Sequence, residues 1–169
     1  RGSYYLYNTE TKELSKLADI SPWIDPLKMA NMMPISYKSR DGLTINGYLT
    51  LPKDSSDKNL PVIINPHGGP WARARWGFNS EVQFLANRGY AVLQMNYRGS
   101  TGYGDKFESL GKQEWGGKMI DDINDGTQWL IKEGIANPEK ICIMGWSYGG
   151  YAALQAPIAS AETYKCSIA

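Results

Sequence analysis

Lys140-Ile141-Cys142-Ile143-Met144-Gly145-Trp146-Ser147-Tyr148-Gly149-Gly150 is the stretch that decides how the rest of the chain is read. An apolar run with β-branched residues meets a Gly-x-Ser-x-Gly, and small residues with helical potential follow. That layout is a nucleophile elbow, a sharp strand-to-helix turn that presents a serine hydroxyl. Gly145 and Gly149 suit a chain reversal too tight for bulkier side chains. Ser147 is the candidate nucleophile.

A serine hydroxyl attacks only when a base takes its proton and donors wait for the developing oxyanion. In an elbow, one donor is the backbone N–H after the serine, here that of Tyr148. The second comes from a loop after an earlier strand. Leu60–Asn65 reads as a buried strand leading into His67-Gly68-Gly69-Pro70, where glycine lets backbone N–H groups approach a substrate. Gly69 is the first choice for that donor and Gly68 the second.

His67 is the only histidine. It precedes the serine, whereas in this architecture the order is serine, then acid, then histidine. Its ring is therefore assigned to holding the loop. After Ser147 there is no histidine and no aspartate, and Glu162 is the one carboxylate. The triad's acid and base are thus expected outside this chain, which alone should be inactive. Trp146 flanks the nucleophile as a candidate pocket wall. Arg98 is a candidate ligand for a substrate carboxylate, with a structural ion pair as the competing reading. Asp121, Asp122 and Asp125 read as a solvated or loop-bonded helix face. Gly99, Gly102 and Gly104 make no phosphate loop, because no Gly-Lys-Ser/Thr follows. No cofactor is called for, and no Cys/His spacing suggests a metal.

Outward from the elbow, residues 3–17 read as two short strands around a polar turn, and 18–34, with three prolines, as a segment packed on a surface. Strands are expected at Ile35–Ser39 and Thr44–Leu51, joined at Asp41-Gly42, and at Tyr90–Asn96. Helices are expected over 80–88 and 118–133, where Met119, Ile120, Ile123, Thr127, Leu130 and Ile131 share a face. Asn137-Pro138 should break the chain before the elbow strand. The elbow helix should run from Tyr148 to Ala156 and end or kink at Pro157. Tyr164–Ala169 is a last strand. This alternation predicts an α/β protein with a mainly parallel sheet, helices on both faces and an antiparallel hairpin at one edge.

With 169 residues the chain can bury a sizeable core, and a net charge of +1 gives no electrostatic case for nucleic acid or an anionic membrane. No apolar run is long enough to span a bilayer. Cys142 and Cys166 sit in apolar segments and read as buried free thiols, which favours a reducing, cytoplasmic setting.

Several motifs now stand in order: His67-Gly68-Gly69-Pro70-Trp71-Ala72-Arg73, Asn96 to Gly104, Trp115-Gly116, Asp121-Asp122 through Asp125-Gly126 with Trp129, and Gly145 to Tyr151. Together they resemble the prolyl oligopeptidase family of serine peptidases, in its acylaminoacyl-peptidase and dipeptidyl-peptidase-like branch. The resemblance covers residues 35–169. It implies an α/β-hydrolase domain, incomplete at its C-terminus, over 35–169. Residues 1–20 would then end a β-propeller that admits only short peptides, with 21–34 as linker. It also implies an acyl-enzyme on Ser147, oxyanion donors at Tyr148 and the His-Gly-Gly loop, and an acid and histidine beyond Ala169. Some branches carry a tyrosine hydroxyl where this chain has His67. Two other readings are a carboxylesterase or lipase-like hydrolase and a non-catalytic remnant or binding module.

Overall fold

A computed structural model of the protein describes residues 2–169. Two sheets are present. The first is a hairpin of β1 (Ser3–Tyr7) and β2 (Leu14–Asp19), closed by a turn in which the Asn8 carboxamide oxygen accepts from the N–H groups of Glu10 and Thr11. Tyr4, Tyr5, Leu6, Tyr7, Leu14 and Leu17 are all exposed on it.

The second sheet has six strands: β3 (Met32–Lys38), β4 (Thr44–Thr50), β5 (Leu60–Ile64), β6 (Ala91–Asn96), β7 (Ala136–Met144) and β8 (Cys166–Ile168). Their spatial order is β3-β4-β6-β5-β7-β8. The β3–β4 and β4–β6 pairs are antiparallel, and the β6–β5, β5–β7 and β7–β8 pairs are parallel. This is the expected α/β-hydrolase sheet. β3 begins at Met32, three residues before the expected start at Ile35, and carries Pro34. A proline costs no ladder bond on the outer side of an edge strand, and β3 is an edge.

Strand periodicity sorts the core. Val62, Ile64, Leu93, Met95, Ile141 and Ile143 face one side and pack with Met119, Ile120, Ile123, Leu130, Ala152, Ala153 and Ala156. Those partners come from helices α3 (Lys118–Lys132) and α4 (Tyr148–Ala159). Ile63 and Val92 point the other way, onto Val82 of α1 (Ser80–Asn87). Helices therefore cover both faces. A short α2 (Asp105–Ser109) follows the Tyr97–Gly104 loop and has no apolar period to announce it. Residues 21–31 lie against α1, where the Gln83 carboxamide bonds both the N–H and the C=O of Ala30. Among the described residues, no helix is long and apolar enough to cross a membrane.

Three local expectations are corrected. Asn137-Pro138 does not interrupt the chain: β7 runs through it, and the break appears as a jump in register against β5, from Leu60↔Ala136 to Val62↔Ile141. Pro157 does not end α4, which continues to Ala159. Proline removes the N–H that would bond the carbonyl four residues back, here that of Ala153. The Ser167 hydroxyl of β8 donates to that carbonyl instead. Finally, Cys142 and Cys166 are not free thiols but a disulfide. They are direct register partners on β7 and β8, with Cα atoms 4.7 Å apart, a pairing the sequence does not reveal.

Candidate active site

The elbow is built by the last bonds of the sheet and the first of α4. Gly145 N–H donates to Ile168 O of β8, and Gly149 N–H and Tyr151 N–H donate to Trp146 O and Ser147 O as the helix begins. Between them Ser147 adopts φ 57°, ψ −121°, a strained conformation for a residue with a Cβ. Its side chain is exposed, while Tyr148, Gly149 and Gly150 are buried immediately behind it. The glycines are required by backbone contact. A Cβ on Gly145 would lie 2.2 Å from Gly149 O, and one on Gly149 would lie 2.2 Å from Pro66 O. The second contact seats the start of α4 against the chain leaving β5.

That seating brings the His67–Pro70 loop beside the serine. A Cβ on Gly68 would stand 3.0 Å from Trp146 O and 3.3 Å from Ser147 Cβ. Gly69, at φ 126°, is exposed on the same turn. The first N–H groups of a helix have no intrahelical acceptor, and that of Tyr148 is the first of α4. The structure thus brings Ser147, Tyr148, Gly68 and Gly69 together at one end of the parallel strands.

His67 is turned away from this work. Its ring stacks on Tyr97 at 4.3 Å between centroids. Nδ1 lies 2.7 Å from Gly68 O and Nε2 lies 2.8 Å from Ser100 Oγ. Burial pushes its pKa down to about 4, so the ring is neutral at pH 7. Ser100 Oγ is itself held, donating to Tyr97 O at 2.6 Å. The Tyr97 hydroxyl donates to His67 O at 2.5 Å. Tyr97 and Ser100 belong to the chain just beyond β6, so the loop after β5 is pinned by its neighbour. Sequence reading missed these two anchors, since an isolated Tyr and Ser give no sign of what they will hold.

An aromatic wall backs the turn. Tyr148 packs on Tyr97, Trp115 and Tyr151 at 5.4 to 5.7 Å, and its hydroxyl donates to Trp115 O at 2.6 Å. On the other side lies an open cleft of about 410 Å³, bordered by His67, Gly68 and Trp146 and continuing past Arg73, Arg75 and Glu81. Trp146 is 85% exposed, a cleft border and not a core residue.

Arg98 does not reach this cleft. It is 3% exposed, and its guanidinium forms two hydrogen bonds to the Asp122 carboxylate and two to that of Asp41, at 2.7 to 3.0 Å. Of the two readings of Arg98, the structure shows the ion pair and corrects the substrate contact: four bonds to two carboxylates leave little of the fork to offer. The helix aspartates are bonded to loops. Asp122 also accepts from Ser39 Oγ and Arg98 N–H, Asp125 accepts from Arg40, and Asp121 pairs with Arg40.

A sequence profile described as the prolyl oligopeptidase family matches residues 76–169, more than half of the chain. The chain belongs to the prolyl oligopeptidase family. Its curated relatives include the dipeptidyl aminopeptidase BIII of Pseudoxanthomonas mexicana, 40% identical over 98% of this chain and 25% of that protein. The acylamino-acid-releasing enzyme of Mus musculus is 33% identical over 75% of this chain and 18% of that one. Among solved structures, a puromycin hydrolase superposes with a TM-score of 0.81 at 26% identity, over 95% of this chain and 25% of the other. The acylaminoacyl peptidase of Pyrococcus horikoshii gives 0.76 at 30%, over 95% and 26%. The chain therefore spans about a quarter of the length of the first curated relatives it matches.

Proposed function

We propose that this chain carries the nucleophile and the oxyanion donors of a serine peptidase that cleaves short peptides. The observation that carries the reading is the exposed, strained Ser147 with Gly68 packed against it and the α4 N-terminus behind it. The names of the relatives, a dipeptidyl aminopeptidase and an acylamino-acid-releasing enzyme, supply the substrate class.

Ser147 Oγ attacks the scissile carbonyl carbon as a base takes its proton. The N–H groups of Tyr148 and of Gly69, or Gly68, receive the oxyanion. Collapse releases the amine, protonated by that base, and leaves an ester on Ser147 that water hydrolyses. His67 is neutral, but its ring is held on Ser100 and Gly68 O, so we assign the base to a histidine that these 169 residues do not contain. The β1–β2 hairpin, with apolar residues exposed along it, we assign to the end of a propeller domain, with 21–34 as the link to the hydrolase.

Fluorophosphonate labelling with peptide mapping, run on the full-length protein that carries this chain, tests the reading. The probe should modify Ser147, and Ser147→Ala should lower aminoacyl-arylamide hydrolysis by at least about 10⁴-fold. Turnover of p-nitrophenyl esters with no amide cleavage would overturn the peptidase. Strong labelling of the 169-residue chain alone would overturn the assignment of the base.

A further inference from the structure

The cleft beside Ser147 is lined by two arginines, Arg73 and Arg75, and neither resembles Arg98 in its partners. Among the described residues, Arg73 and Arg75 form no ion pair, whereas Arg40 and Arg98 each pair with two aspartates. Arg75 is exposed, but Arg73 is half-buried, and the backbone on either side of it is anchored. On one side of it, Ala72 O accepts from Thr101 N–H. On the other, the fully buried Asn96 carboxamide bonds both the N–H and the C=O of Ala74. The guanidinium itself lies on Gly102: a Cβ there would fall 2.2 Å from Arg73 Nη1 and 2.8 Å from Cζ. Gly102, at φ 85°, is the residue whose missing side chain leaves that space.

A partly buried arginine that borders the cleft, with its guanidinium packed on the Gly102 backbone and no carboxylate beside it, is open to an anion from outside. The one carboxylate on the cleft wall, Glu81, is at the Asn65 end, where it accepts from the Asn65 carboxamide at 3.3 Å. Planar, forked donors match a carboxylate two bonds at a time. Peptides supply that group, and this cleft begins at Gly68 and Trp146, which flank the candidate nucleophile.

We infer that Arg73 is a substrate-binding residue that takes a carboxylate of the peptide in the cleft bordered by Gly68 and Trp146, with Arg75 adding positive charge at its edge. The inference rests on the peptidase reading of Ser147. It makes the enzyme prefer peptides that bring an anion into this cleft, either a free C-terminus or an acidic side chain.

The experiment compares kcat/KM of the full-length enzyme for three matched peptides: a C-terminal acid, its C-terminal amide, and that amide carrying one glutamate. The acid, or the glutamate-bearing amide, should exceed the plain amide by about 10–100-fold, the scale of hydrogen bonds to a charged partner. Which of the two is preferred tells the source of the carboxylate. Arg73→Met should bring that ratio close to one, and Arg73→Lys, which keeps the charge without the fork, should leave an intermediate value. A wild-type ratio near one for both anionic peptides overturns the inference without any variant. So does a preference that survives in Arg73→Met. Absence of fluorophosphonate labelling in the wild type would instead break the peptidase reading, so the two failures are told apart.

Discussion

β5 and β6 lie side by side, run parallel, and end at the same edge of the sheet in glycine-rich loops, yet the two loops are put to opposite uses. The loop after β5 keeps its backbone open beside Ser147 and folds its one titratable ring, His67, back into the protein. The loop after β6 is buried over its first half, from Tyr97 to Ser100. Tyr97, Arg98 and Ser100 are at most 3% exposed, and Arg98 is consumed by Asp122 and Asp41. The first loop we propose as the surface for a ligand; the other is the buttress that fixes it, through Tyr97 and Ser100 on His67 and Thr101 on Ala72. The comparison teaches that an arginine's role follows from how many carboxylates already hold it, and not from how near a catalytic motif it stands.

The largest expected effect strikes the buttress. Asp122 is fully buried, and Asp122→Ala leaves Arg98 buried against Asp41 alone. Breaking such a pair typically costs about 3–5 kcal/mol. Denaturant unfolding measures it, and a loss below ~1 kcal/mol would mean that the loop after β6 is not held by this ion pair.

Acid should act through the ring in the loop after β5. His67 has its pKa lowered to about 4, so the folded state stays neutral where the unfolded chain takes up a proton near pH 6.5. Stability therefore falls as pH drops from about 6.5 to about 4, by on the order of 3 kcal/mol, and no further from this group below that. His67→Gln should flatten the dependence of Tm on pH in that window, and an unflattened profile would show that the ring is not buried neutral. A separate loss belongs to the buttress: hydrogen bonds from Arg98 hold the Asp41 carboxyl down at about 2. Its stabilisation is present above about pH 4 and disappears as pH falls through about 2, and exposure to solvent keeps it small.

The smallest effect tests the contact between the two loops. Tyr97→Phe deletes the hydroxyl that donates to His67 O and should cost about 1 kcal/mol. It should also slow fluorophosphonate labelling of Ser147, because the oxyanion loop loses an anchor. Unaltered labelling would separate the buttress from the site.

Much of this arrangement is legible in the residues themselves. The elbow follows from glycines flanking a serine between a strand pattern and a run of small residues. α3 follows from its 3.6-residue apolar period, and the β3–β4 hairpin from Asp41-Gly42. The elements that escaped are those whose signal lies elsewhere in the chain. Pro157 forecasts a helix that ends or kinks, and only the structure shows it running on, with Ser167 reaching the orphaned carbonyl; Pro138 forecasts a gap until β5 is seen to absorb it as a shift in register.

By itself, then, the sequence determined most of the segments that form strands and helices, where the chain reverses most tightly, and that Ser147 stands on that turn. Those are short-range matters of backbone sterics and apolar periodicity, complete within a few neighbouring residues. Only the tertiary structure decided that Cys142 meets Cys166, that Arg98 is claimed by Asp41 and Asp122, and that Arg73 is left facing the cleft. Each of those depends on strand register and loop placement, which bring together groups far apart in sequence, and the patterns within either partner alone do not encode which group the other will meet.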